Sequence, residues 1–169
     1  MDRSTVPELK TIQNFVYNYK RSTLMNTGFV DDVISLAKES RYSPELDDLT
    51  PFSFGYKLDN DGNPVLGDGN DEYPFILAFS TKYMLRQLDR SPGEFVFHMD
   101  ATFKLTTKEF PLFVCGISDA SRHFHCVALF ITSQRTHVQY AAALNAISSQ
   151  FCEVVGRSVN VTYFMGGGC

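Results

Sequence analysis

At 169 residues, with 44% hydrophobic side chains including 15 Phe and 8 Tyr, the chain has the size of one ordinary domain and is too apolar to remain disordered. Its formal net charge of -4 argues against autonomous nucleic-acid binding, which depends on Lys and Arg neutralising phosphates. The acidic excess is N-terminal, because residues 1–90 hold 14 acidic and 10 basic side chains while residues 91–169 hold 5 of each.

The opening Met1-Asp2-Arg3-Ser4-Thr5 has no apolar leader, and no run is long enough to span a bilayer. A soluble intracellular protein with no membrane partner is expected. The four cysteines, Cys115, Cys126, Cys152 and Cys169, form no CxxC pair, so free thiols are expected and Asn160-Val161-Thr162 is a chance glycosylation sequon.

From residue 7 to about residue 20, Leu9, Ile12, Phe15, Val16 and Tyr19 recur at three-and-four spacing behind Pro7, predicting an amphipathic helix. A second helix is predicted over residues 29–39, with Phe29, Val33, Leu36 and Ala37 on its buried stripe and Asp31 and Asp32 in its first turn. Residues 43–74 are rich in Asp, Gly, Asn and Pro, and Asn60-Asp61-Gly62-Asn63 predicts a hairpin between Phe52-Ser53-Phe54-Gly55-Tyr56 and Val65-Leu66. This acidic loop lacks the Gly and Glu of a calcium loop, and Gly67 and Gly69 lack the Lys-Ser/Thr that closes a phosphate loop.

Phe75-Ile76-Leu77-Ala78-Phe79 reads as a buried strand, and Thr81 as the cap of a short helix carrying Met84, Leu85 and Leu88. Ser91-Pro92-Gly93 marks a boundary between a mainly helical N-terminal region with a hairpin, residues 1–92, and a core, residues 93–169. In the core, strand-like runs cover residues 94–104, 110–118 and 123–132, joined by links short enough to make them antiparallel. Thr136 and Gln139 form a capping-box pattern before a helix with Ala141, Leu144, Ile147 and Phe151 buried, ending near Gly156. The run Val159-Asn160-Val161-Thr162-Tyr163-Phe164-Met165 alternates like a strand and follows a helical crossover, so it is expected parallel to an earlier one. The order is βββαβ, an α+β or α/β arrangement with a mixed sheet.

Asp100 is the residue that points to chemistry. It interrupts Phe95-Val96-Phe97-His98-Met99, where a buried charge is costly unless paired or metal-bound, and period two puts Val96, His98, Asp100 and Thr102 on one face. A carboxylate on the first strand of βββαβ, beside the end of a parallel fourth strand, suggests half of a two-metal site, in which divalent ions clamp the oxygens of a phosphodiester.

Several further segments, in order, join it: Pro51-Phe52-Ser53-Phe54-Gly55-Tyr56, Tyr73-Pro74-Phe75, His98-Met99-Asp100-Ala101-Thr102-Phe103-Lys104, Phe110-Pro111-Leu112, Arg122-His123-Phe124-His125 and Tyr163-Phe164-Met165-Gly166. Together they resemble the transposase domain of Mutator-like elements (MULE), a DDE-type ribonuclease-H-like fold. The resemblance implies a truncated core of that fold and metal-dependent DNA cleavage and transfer with Mg2+ or Mn2+ in the parent enzymes. It also implies DNA as partner and the nucleus as location.

By the same resemblance Asp100 is the first metal-binding and catalytic carboxylate, the second position holds Gly167, and the segment carrying the third acidic residue is missing. One carboxylate does not hold two magnesium ions in their near-octahedral geometry, so this chain is expected to be inactive. A remnant or a truncated gene product is the first reading. The alternative is a domesticated DNA-binding or regulatory protein without catalysis.

Other candidates have plainer readings beside them. His123 and His125 at strand spacing, with Cys115 or Cys126, would make a zinc site; buried thiols and a hydrogen-bonded histidine are the commoner outcome. His98 is expected to be structural, Glu153 lies too late in the crossover helix to replace the missing Asp, and Lys104, Lys108, Arg122 and Arg135 read as solvated charges. The apolar run from Val159 to Met165 is expected to expose an edge prone to self-association.

Overall fold

A computed structural model describes Lys10 and residues 30–102 and 110–166. The chain divides into two compact units, Met1–Ser35 and Leu36–Cys169. The helix expected over residues 7–20 lies outside the described residues except for Lys10, which is helical.

Helix α1 (Val30–Glu39) has Asp31 and Asp32 in its first turn and Lys38 in its last, each complementing the helix dipole. Its buried stripe is shifted from the expected one, because Leu36 is 48% exposed while Ala37 is fully buried. The reason is close packing on the chain beyond: the hydroxyls of Ser53 (2.7 Å) and Tyr56 (3.1 Å) both donate to the Ala37 carbonyl. Two of the carbonyl's possible partners near the helix end thus come from tertiary structure.

The strands are β1 (Phe52–Phe54), β2 (Lys57–Leu58), β3 (Pro64–Val65), β4 (Ile76–Ser80), β5 (Phe95–Thr102), β6 (Leu112–Asp119), β7 (Phe124–Thr132) and β8 (Tyr163–Gly166). Strands β2 and β3 form a separate two-stranded ribbon around the expected turn, where Asp59 Oδ1 accepts from the backbone N–H groups of Asp61 and Asn63. Phe52–Phe54 therefore does not belong to that hairpin. It pairs instead with β4 in a six-stranded mixed sheet of order β1-β4-β7-β6-β5-β8. One sheet thus takes strands from both sides of residues 92 and 93.

Short links make β5, β6 and β7 antiparallel neighbours, and β8 returns parallel to β5 after helix α3 (His137–Val155). This is the expected βββαβ order, extended on the β7 side by β4 and β1. Helix α2 (Lys82–Leu85), capped by Thr81, continues as a 3-10 turn over Arg86–Leu88.

Helix α3 begins and ends at the expected residues, with Thr136 Oγ1 accepting from the Gln139 N–H (3.4 Å) and Gly156 at φ 82° closing the C-terminus. The other half of the capping box does not form, since the Gln139 side chain is buried with Oε1 unpartnered. The buried row of the helix runs through Ala143, Ile147 and Phe151, and Ala141 is exposed. These three face Phe95, Phe97, Met99, Phe113, Ile117 and Phe130 on one side of the sheet, and each Phe, Ile or Met among them contributes about 1.5–3 kcal/mol when fully buried. Phe113 stacks on Tyr140 with ring centroids 4.5 Å apart, which fixes the helix over β6. Among the described residues no helix is long and apolar enough to cross a membrane.

Candidate functional site

Strand periodicity places Asp100 on the expected face, but that face is the outward one. Phe95, Phe97 and Met99 are 2%, 2% and 0% exposed beneath α3, whereas Asp100 is exposed. Its carboxylate therefore bears no burial penalty that a metal must offset, contrary to the expectation of a buried charge. Asp100 sits opposite Val114, and its Oδ1 accepts from the Ala101 N–H at 2.9 Å.

His98 shares this face, opposite Gly116. Phe124, reaching diagonally from the first position of β7, lies over Gly116 and meets the His98 ring edge-on at 6.2 Å. His98 Nε2 is buried there without a hydrogen-bond partner. Hydrophobic packing thus holds the ring, in keeping with a structural role.

Along β8, Tyr163, Phe164, Met165 and Gly166 pair with Val96, Phe97, His98 and Met99. Gly166 is thus beside the residue that precedes Asp100. Gly167 itself lies outside the described residues. The donor set does not fit a two-ion centre: Asp100 brings a single carboxylate, and among the described residues no group of three His, Cys, Asp or Glu is placed to hold a metal ion.

The zinc constellation is not assembled. Cys115 is buried on the α3 side of β6, opposite Ala128, and burial pushes its thiol up from the ordinary range. Cys126 lies across from Gly116, one residue out of phase, because the register shifts between Cys115 and Gly116. Burial raises the Cys126 thiol as well. His123 is exposed before β7 begins, and His125 Nε2 instead contacts Asp119 Oδ2 at 2.9 Å. Cys115, Cys126 and Cys152 are all free thiols.

Glu153 is exposed near the end of α3, where it accepts from Gln150 Nε2 at 3.1 Å, and does not approach the role of a second carboxylate. Arg122 and Arg135 are exposed at opposite ends of β7, whose nine residues span about 30 Å, so they form no joint anion site. Lys104 and Lys108 lie outside the described residues.

Sequence reasoning missed a polar cluster at the other end of the sheet. Asp119 Oδ1 accepts from the Ser121 and His123 N–H groups, Oδ2 meets His125, and Arg90 Nη1 is 3.9 Å away. The hydrogen bonds, the His125 one first, hold the Asp119 carboxyl down at about 2. The turn Asp119-Ala120-Ser121-Arg122 is a sequence signal for the backbone half of this cluster; nothing local signals Arg90. Asp119 pairs with Phe95, five residues before Asp100 on β5, which puts the two carboxylates on the order of 16 Å apart. They do not form one site.

Comparison with protein-family models, with curated proteins and with solved structures found no match to this chain.

Proposed function

We propose that this chain is a transposase-derived scaffold of the ribonuclease-H-like, Mutator-like kind that carries the first metal-binding carboxylate, Asp100, and does not cleave DNA by itself. The observation that supports this reading most is the parallel pairing of β8 with β5, which brings Gly166 beside Met99 at the approach to Asp100. Phosphodiester cleavage by two metal ions needs carboxylates gathered from neighbouring strands to clamp the attacking and leaving oxygens. The residue that follows Gly166 in sequence is the one at which the family resemblance expects a second Asp, and this sequence has Gly167 there.

Loss of that carboxylate removes the second arm of the clamp, and the net charge of -4 offers no compensating grip on DNA. DNA as the ancestral partner, Mg2+ or Mn2+ as the ancestral ions and a nuclear setting all come with the same reading.

The test is nicking of supercoiled DNA in Mg2+ or Mn2+ by the purified chain and by Asp100→Asn, together with Mn2+ binding by Gly167→Asp followed by electron paramagnetic resonance. No nicking is expected from either protein. Gly167→Asp is expected to bind Mn2+ more tightly than the parent chain, and adding Asp100→Asn is expected to abolish the gain. Nicking by the parent chain that Asp100→Asn removes would overturn the inactive reading. Failure of Gly167→Asp to bind more Mn2+ would overturn the paired-carboxylate placement.

A further inference from the structure

A cavity of about 350 Å3, within the usual range of small-molecule sites, opens between the chain that leaves α1, the turn from β1 to β2 and the second half of α3. All its lining residues lie between Arg41 and Glu153, well inside the chain. The Ser53 N–H donates to the Ser40 carbonyl at 2.7 Å and Arg41 bridges to Ser53, which fixes the backbone of one wall. Gly55 lets that wall approach the sheet and α3. At φ 87° a Cβ there would lie 3.2 Å from Ala78, 3.3 Å from Phe130 and 3.8 Å from Ala146.

Several polar groups of the cavity are already engaged. The Ser53 and Tyr56 hydroxyls serve the Ala37 carbonyl, and Gln150 Nε2 donates to Glu153 Oε2 at 3.1 Å. What remains without a hydrogen-bond partner among the described residues is the Arg41 guanidinium and the Tyr42 hydroxyl on one wall, and the Ser149 hydroxyl and Glu153 Oε1 on α3. A cation and an anion thus line one cavity, and neither forms an ion pair with the other or with any other described side chain. Burial first, and then the charge of Glu153, push the Tyr42 hydroxyl up from its ordinary range, so the carboxylate acts across the cavity on the opposite wall. Phe54, Leu58, Ala146 and the Tyr42 ring supply apolar surface between the polar groups.

We propose that this cavity binds a free α-amino acid with an apolar side chain. The Arg41 fork takes the carboxylate through paired N–H donors. Glu153 Oε1 takes the ammonium, with the Tyr42 and Ser149 hydroxyls as further acceptors. The side chain of the ligand lies on Leu58, Ala146 and Phe54. A zwitterion meets both lone charges at once, whereas an anion alone would leave Glu153 unpaired beside it and a cation alone would leave Arg41. A purely apolar occupant would strip water from both charges and return nothing to either. Each exposed ion pair is weak by itself, so affinity comes from the two acting together with the apolar contact. This inference does not depend on the nuclease reading.

Titration of the isotope-labelled full chain with L-phenylalanine, L-leucine and L-methionine, followed through its amide chemical shifts, tests it. Saturable shifts are expected at Gly55, Tyr56 and Ser149, with a Kd of about 1 mM or tighter for at least one of the three. The N-acetyl derivative of the tightest binder lacks the ammonium and its carboxamide lacks the carboxylate, and each is expected to bind about tenfold more weakly or worse. Arg41→Gln and Glu153→Gln are expected to weaken binding to the same degree while the rest of the amide spectrum stays in place, whereas Glu94→Gln, exposed and outside the cavity, leaves binding unaltered. No saturable shift with any of the three probes up to about 10 mM would overturn the proposal. So would equal binding of the N-acetyl or carboxamide derivative, shifts confined to residues outside the cavity, or binding that survives both Arg41→Gln and Glu153→Gln.

Discussion

His125 Nε2 meets Asp119 Oδ2 at 2.9 Å across the β6 to β7 turn, and the other carboxylate oxygen of Asp119 gathers the N–H groups of Ser121 and His123. All of these bonds favour the charged carboxylate, the His125 bond most, and they hold its pKa at about 2 against an ordinary 3.8. A carboxyl whose folded pKa is depressed adds stability above the unfolded value, and that stability is lost as pH falls through the folded one.

The contribution of Asp119 is therefore expected to be complete above about pH 4 and to disappear between about pH 4 and pH 2. Denaturant unfolding across that window should show a steeper acid limb in the parent chain than in Asp119→Asn. Parallel limbs in the two proteins would show that this turn does not set the acid response.

Gly116 is held small by the residues that lie over it. A Cβ there would meet ring atoms of Phe124 at 2.3 and 2.5 Å and the His125 carbonyl oxygen at 2.6 Å, all closer than real contacts allow. Gly116→Ala is expected to cost about 1–3 kcal/mol, read as a lower denaturant midpoint at unchanged slope. Phe124 is 52% exposed and its ring can turn outward, but the His125 carbonyl belongs to the backbone of β7. Adding Phe124→Ala should therefore recover only part of the loss, and complete recovery would show that the β7 backbone yields more easily than its pairing implies.

What was legible in the sequence was local. Thr136 and Gly156 bound α3 because capping and the left-handed C-terminus depend on neighbouring residues alone. The three strands of the core and the parallel return of β8 follow from turn chemistry and link length. Which of two adjacent rows a helix buries depends on the partner surface, and so Leu36 and Ala141 are exposed although both were expected on the buried stripe, while Ala37 is inside as expected and Ala143 is inside where Ala141 was expected. The placement of β1 and β4 beyond β7 rests on pairings 24–28 residues apart in sequence for β1 with β4 and 50–56 apart for β4 with β7, which no local pattern encodes.

The candidate site was legible in the same partial way. Period two put His98 and Asp100 together, yet periodicity does not say which face a helix will cover, and α3 covers the face of Phe97 and Met99. The His and Cys grouping failed on register, since Cys115 lies inward with Phe113 and Ile117 by the unbroken alternation of β6, and the register shift against β7, which skips Val127, leaves Cys126 out of phase with it.

Lys82 is the charged residue whose burial the sequence signals least. It is 7% exposed in the first turn of α2, and its ammonium donates to the carbonyls of Pro44 (2.5 Å) and Leu46 (2.6 Å). The loop is tied to the same helix by Tyr83 N–H to Asp48 O at 2.9 Å and by the Arg86 to Asp48 ion pair. Lys82→Met keeps an unbranched apolar stem one atom shorter, removes the ammonium and strips two carbonyls of their donor, at an expected cost of about 1–3 kcal/mol. The loss should be local first: amide exchange is expected to quicken at Leu46 and Thr50, whose N–H groups bond within the loop to Ser43 and Asp47, before it quickens in β5 or β6. Uniform quickening throughout the sheet would mean that this lysine supports the whole core and not the loop alone.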